Sequence, residues 1–258
     1  MSKSVQDKLT RGAKLNFFLT GASGYIGLVV TEFAIAQDFS VRGLSRTEAS
    51  DEKLRALGAT PVRESAVADA VIHLAWNLDW LKWRPSTPSA LPSRAQGSHW
   101  SSRLNARDGS DTDENSPLRV GGHPIIAKRL RNEKSTTEKE GVHGVAIRLA
   151  APSGYINDGS FRTSVVHVKN AARLFFAGVF KGRAGGAYNA VGDSISLKAT
   201  AVAIRKLVGV PVRSVTPEEA GEKWTPFLNL INSDARCSKN RKAMEMLGWK
   251  PMGVDLYH

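Results

Sequence analysis

Gly21, Gly24 and Gly27, spaced three residues apart at the end of the stretch Lys14 to Gly27, are the residues of this chain whose spacing speaks most directly to chemistry. Each lacks a Cβ, so the backbone can turn sharply, let a pyrophosphate approach, and pack the following helix close to the preceding strand. Leu15, Phe17, Phe18 and Leu19 form a short apolar block before them, suited to a central parallel strand buried on both faces. After them a helix is expected from about Tyr25 to Gln37, with Ile26, Val29, Val30, Phe33 and Ala34 at helical spacing. Its N-terminus would aim free N–H groups and the positive dipole end at the phosphates. Taken alone, such glycines fit an ordinary strand-to-helix turn. The strand before, the amphipathic helix after and a second apolar strand over Ser40 to Leu44 favour a dinucleotide site instead.

The end of the second strand bears on which dinucleotide. A fingerprint of this kind normally places an Asp or Glu there to hold the ribose 2′-hydroxyl, whereas this chain reads Gly43-Leu44-Ser45-Arg46. A carboxylate would repel a 2′-phosphate, while a guanidinium with a neighbouring hydroxyl binds one. NADP(H) is therefore expected over NAD(H); the alternative is that Arg46 is simply solvated and NAD(H) is used.

Four blocks carry a family resemblance: Thr20-Gly21-Ala22-Ser23-Gly24-Tyr25-Ile26-Gly27, Val71-Ile72-His73-Leu74-Ala75, Val166-His167-Val168 with Ala171-Ala172-Arg173-Leu174, and Leu247-Gly248-Trp249-Lys250-Pro251. The chain resembles the extended or atypical short-chain dehydrogenases, the NAD-dependent epimerase/dehydratase family, over most of its length with interruptions. The resemblance implies a Rossmann fold, a nicotinamide dinucleotide and redox chemistry at a sugar, alcohol or carbonyl carbon. It assigns Gly21, Gly24 and Gly27 to the pyrophosphate, amides of Ser23, Tyr25 and Ile26 to the turn, Ser45 and Arg46 to the 2′-phosphate, and Leu74 with Ala75 to the adenosine-side wall.

Departures from the family pattern are as informative. Classical members abstract a proton with a Tyr whose pKa is lowered by a Lys one helical turn later. None of Tyr25, Tyr155, Tyr188 and Tyr257 has a Lys four residues on, and Pro124 stands where the tyrosine would be, with Lys128 near the family lysine. Some atypical members also lack the tyrosine, so catalysis is not excluded, but no catalytic residue is assigned. Lys169-Asn170 replaces the usual Asp after the Val-His-Val block. His73 is expected to be a satisfied core histidine and His167 a structural one, and the histidines and carboxylates show no metal-ligand spacing.

These residues need elements to position them. At 258 residues, 41% hydrophobic and 23% charged, the chain can bury a substantial core. The single cysteine, Cys237, excludes an internal disulfide and fits a reducing, cytoplasmic compartment. No apolar run reaches the ~20 residues of a membrane span. The net charge of +12 is scattered without a basic helix or aromatic-interleaved patch, so a small-molecule substrate is expected rather than a specific nucleic acid. Oligomeric state is not legible.

The expected fold is a Rossmann-type doubly wound parallel sheet with a small C-terminal α/β lobe. Residues 1–13 read as a disordered extension, 14–153 as the NAD(P)-binding domain and 154–258 as the substrate-side lobe. A helix is expected over Glu48 to Gly58, strands over Ala59 to Arg63 and Ala70 to Ala75, a charged helix over Lys128 to Glu140, and strands over Gly144 to Leu149 and Val165 to Val168. Three interruptions stand out. Only six residues separate the third and fourth strands, where a crossover helix belongs. Residues 84–117 are rich in Ser, Pro, Arg and Asp and read as loop or disorder, with no apolar fifth strand. Ala150-Ala151-Pro152-Ser153 runs directly into Gly154-Tyr155 without a helix-bearing segment. Losses this abrupt between well-kept blocks suggest a truncated or mis-spliced product. Two readings follow: an NAD(P)-dependent oxidoreductase acting on an alcohol or carbonyl, or a non-catalytic dinucleotide-binding protein or inactive remnant.

Overall fold

Strand β1 (Asn16–Thr20) has every residue after Asn16 buried, as a central parallel strand must. It lies between β2 (Ser40–Leu44) and β4 (Ala70–His73), and β3 (Thr60–Val62) flanks β2. With β5 (Ser93–Ser98), β6 (Gly144–Leu149) and β8 (Ala187–Ala190) they form a seven-stranded sheet of order β3-β2-β1-β4-β5-β6-β8. Every pairing in it is parallel. The computed structural model describes residues 3–64, 67–74, 93–98, 113–116, 130–138 except 132 and 135, 143–149, 156–209, 211–223 and 239–253. The α/β class and the Rossmann strand order agree with the sequence reading.

Alternation along the strands divides the core in two. Phe17, Leu19, Ala70 and Ile72 point to a first face, covered by helices α2 (Tyr25–Ala36) and α4 (Val168–Lys181), with α7 (Arg241–Leu247) packed beside α4. Phe17, Phe33, Phe39, Phe176 and Phe180 interlock there with ring centroids 5.0 to 6.4 Å apart. Phe18 and Val71 point to the second face, in a small cluster with Ala68, Leu44 and Val62. A separate two-stranded antiparallel sheet pairs β7 (Arg162–Val165) with β9 (Asp193–Ser196) and leads into α5 (Leu197–Val208). The main sheet thus takes its last strand, β8, from beyond residue 153.

The structure alters several expectations. Residues 1–13, read as a disordered extension, contain helix α1 (Lys3–Thr10), whose Val5 is fully buried and whose Lys8 pairs with Asp69 at 2.7 Å. Asp69 also accepts from the Asn16 amide, so α1 is fastened to the start of β1 by a charge invisible to apolar periodicity. Residues 84–117 are not wholly loop: the polar sequence SRAQGS forms β5 between β4 and β6. A strand is held by backbone hydrogen bonds, and this one lacks the apolar signature by which a buried strand is read. Glu114 is also buried, its carboxylate accepting from the Asn189 and Lys242 amides at 3.2 and 3.3 Å, while Asp113 pairs with Arg241. The strand expected over Val165 to Val168 ends at Val165, and Val168 already opens α4.

The short crossing from β3 to β4 is made without a helix among its described residues, 63–64 and 67–69. It is possible because β3 and β4 are only three and four residues long, which shortens the return along the strand. The chain stays against the sheet: Arg42 on β2 donates to the Val67 carbonyl, and the Asp69 amide donates to the Asn16 carbonyl. Ala75, Lys128, Pro124, Tyr155, Cys237 and Tyr257 lie outside the described residues, as does the junction of 150–155.

Candidate dinucleotide site

The turn between β1 and α2 is built around missing side chains. Gly21 has φ of +72°, a left-handed conformation that glycine adopts without strain. A Cβ on Gly27 would stand 2.0 Å from the Gly21 carbonyl oxygen and 2.7 Å from backbone atoms of Ala22, so only glycine lets α2 sit this close to the turn. Gly24, whose added Cβ would lie 3.3 Å from the same oxygen, is the N-cap of α2 and supplies no side-chain hydrogen bond. The first turn holds no acidic residue. Its amides have no side-chain cap, which leaves them suited to an anion. Ser23 is half-buried, Ile26 is partly buried against the first-face core, and Tyr25 is 78% exposed at the mouth of the turn. These residues fit a dinucleotide pyrophosphate: the cradle is one that a Cβ would fill.

Beneath the turn, Thr20 and His73 are register partners at the C-terminal ends of β1 and β4, with Thr20 Oγ1 and His73 Nδ1 2.5 Å apart. His73 is 7% exposed, so it is the satisfied core histidine the sequence implied. Leu74, partly buried, donates its amide to the Thr20 carbonyl and so follows the end of β1. His167 caps α4, its Nδ1 accepting from the Lys169 amide. Asn170 donates from Nδ2 to the Met252 carbonyl and accepts at Oδ1 from the Met252 amide. Trp249 Nε1 donates to the Asn170 carbonyl, which fastens the C-terminal block to α4.

At the end of β2 the two expected phosphate ligands part company. Arg46 is exposed. Ser45 is only 3% exposed, and its hydroxyl turns inward to the Thr47 carbonyl and to the carboxylate of Asp51 on α3 (Glu48–Ala56). In this arrangement the Ser45 hydroxyl is engaged by the Thr47 carbonyl, whereas the Arg46 side chain is exposed. Asp51, also buried, receives both Nη atoms of Arg63 at 2.6 Å. Those two bonds, with the Ser45 hydroxyl, hold its carboxyl far below the usual carboxylate range. Sequence reasoning missed this cluster; the signal available was Asp51 in the first turn of a helix that follows β2. Among the described residues no group of His, Cys, Asp and Glu could hold a metal ion.

No protein-family profile matches the chain. An uncharacterized protein of Schizosaccharomyces pombe, C2A9.02, is 28% identical over 287 residues, covering 92% of this chain and 95% of that protein. That alignment is longer than the 258 residues of this chain, so the relative carries segments that this chain lacks. A sterol-4-alpha-carboxylate 3-dehydrogenase of Dictyostelium discoideum is 40% identical over 75 residues, 25% of this chain and 23% of that enzyme. Among solved structures, the dTDP-glucose 4,6-dehydratase of Bacillus anthracis in complex with NAD superposes with a TM-score of 0.69 at 13% identity, covering 94% of each chain. The human epimerase family protein SDR39U1 with NADPH superposes with a TM-score of 0.72 at 13% identity, covering 94% of this chain and 97% of that one. The chain therefore has the Rossmann fold of epimerase/dehydratase and short-chain-dehydrogenase-like proteins.

Proposed function

We propose that this chain binds a nicotinamide dinucleotide and acts as an NAD(P)-dependent oxidoreductase of the epimerase/dehydratase type on an alcohol or carbonyl of a small metabolite. The observation that carries the reading is the contact at Gly27, where α2 approaches the turn so closely that a Cβ has no room. Such an approach brings the uncapped amides of α2 to the place where a pyrophosphate binds. Gly21, Gly24 and Gly27 admit it, the amides of Ser23, Tyr25 and Ile26 face it, and Leu74 lines the adenosine side. Bound there, the cofactor would supply hydride chemistry. The structural neighbours described with NAD or NADPH support a dinucleotide of this class.

NADP(H) is the proposed form. Arg46 is exposed just beyond β2, where a carboxylate would otherwise take the ribose hydroxyls, and its guanidinium suits a 2′-phosphate. The single cysteine and the absence, among the described residues, of any helix long and apolar enough to cross a membrane support a cytoplasmic setting. Titrating NADPH and NADH against the purified protein tests the preference; tighter NADH binding would contradict it.

A second reading has its own support. The crossing of only six to seven residues between β3 and β4, the missing Tyr-Lys dyad and the segments absent relative to the yeast protein favour a dinucleotide-binding protein without turnover, or an inactive remnant. NADPH oxidation against a panel of carbonyl compounds separates the two. Turnover supports the enzyme, and saturable binding without turnover supports the second reading.

A further inference from the structure

The glycine turn does not use the cluster at the C-terminal ends of β2 and β3. Ser45, the first residue past β2, donates its amide to the Val62 carbonyl at the end of β3. Arg63, the next residue of that chain segment, has a half-exposed side chain that forks onto Asp51. Asp51 also has Arg55 Nη2 3.5 Å away. Its carboxylate therefore ties the end of β3, through Arg63, to the first turn of α3, and the Ser45 amide ties the end of β2 to the same strand end. Thr47 caps the same helix, its Oγ1 accepting from the Ser50 amide. Arg46 stands between these two fixed points, with its backbone neighbours held on both sides and its own side chain exposed.

We infer that Asp51 is a positioning residue for recognition of the cofactor's 2′-phosphate, acting by fixing the β2-to-α3 turn from which Arg46 projects. The inference rests on the NADP(H) reading above. An acid this close to a phosphate site would ordinarily repel the phosphate. Here both carboxylate oxygens are engaged by Arg63, so the acid serves as an anchor and Arg63 cancels its charge. Fixing the backbone that carries Arg46 removes the turn's share of the ordering cost of capturing the phosphate, a gain that NADH, which has none, does not share.

The sign of the effect separates positioning from bulk charge. Removing the Asp51 charge makes the neighbourhood more positive, so electrostatics alone would tighten NADPH binding. Loss of positioning weakens it. The test measures dissociation constants of NADPH and NADH, by cofactor fluorescence on the full chain, for wild type, Asp51→Asn, Arg46→Met and the double variant Asp51→Asn, Arg63→Met, with a thermal melt to verify folding. In wild type NADPH binds more tightly, and Arg46→Met abolishes the preference. Asp51→Asn is expected to weaken NADPH about tenfold, the scale of one charge-assisted hydrogen bond, and NADH less than about twofold. If Asp51→Asn does not fold, the double variant Asp51→Asn, Arg63→Met removes the pair at unchanged net charge, so electrostatics alone predicts unchanged NADPH binding and loss of positioning predicts weaker binding. An unchanged NADPH-to-NADH ratio in a folded variant, or tighter NADPH binding, overturns the inference while leaving the NADP(H) reading intact. A wild type without NADPH preference overturns that reading, and the inference with it.

Discussion

The two faces of the central sheet are built differently. The first carries α2 and α4, with α7 beside α4, over five interlocked phenylalanines. The second, among the described residues, gathers Phe18, Ala68 and Val71 with Leu44 and Val62. Yet Phe17 and Phe18 are consecutive on β1 and both are fully buried. Among the described residues the difference lies in what covers them. The first face is covered by whole helices that follow regular strands in sequence. On the second, the crossing from β3 to β4 contributes Ala68 from a short linker. The dinucleotide cradle belongs to the first face, because α2, which covers that face, starts from the glycine turn.

The largest expected effect comes from breaking the junction between that face and the cradle. Gly27→Ala must push α2 away from Gly21 and Ala22, so NADPH binding is lost at concentrations that saturate wild type. A fluorescence titration checks it. Next comes the contrast between faces. Phe176→Ala is expected to cost about 4–5 kcal/mol, because its ring packs against four others, and Phe18→Ala nearer ~3 kcal/mol. Denaturant unfolding of both variants decides, and a larger loss at Phe18 would reverse the comparison.

A smaller effect tests how the first face holds the C-terminal block. Asn170→Asp keeps an acceptor for the Met252 amide but sets a carboxylate against the Met252 carbonyl, so it should cost about 1–3 kcal/mol. The same unfolding measurement reads it, and wild-type stability would show that the clip contributes nothing. The smallest concerns pH. Asp51 has a depressed carboxyl pKa in the fold, so its contribution is fully present above about pH 4 and is lost as pH falls below that toward the folded value. Melting temperature against pH should fall less steeply below pH 4 in Asp51→Asn than in wild type.

Legibility in the sequence followed the same division. Helix starts and stops with local chemistry were read closely. Leu197 to Val208 ends at Gly209, whose φ is +71°, and Thr216 and Glu219 form the reciprocal cap at the start of α6 (Pro217–Lys223). Ser40 to Leu44 and Gly144 to Leu149 are strands as expected from their apolar residues. What escaped was held by backbone pairing or by buried charge. SRAQGS has no strand pattern, Lys8 and Asp69 lie far apart in sequence, and Glu114 docks onto β8 and α7 through backbone amides. In the site, the glycines were legible because their spacing encodes a backbone shape. The burial of Ser45 and the Arg63–Asp51 pair beside it were not legible, because only the fold brings Arg63 to the start of α3.

The account's central claim is that the turn from Gly21 to Gly27 is a dinucleotide cradle carried on a cooperative fold. Thermal unfolding of the full chain with and without NADPH tests it most directly. The account predicts one cooperative transition that rises with NADPH concentration, by the equivalent of about 2.7 kcal/mol at a hundred times the dissociation constant. A transition that does not move at any NADPH or NADH concentration would contradict it.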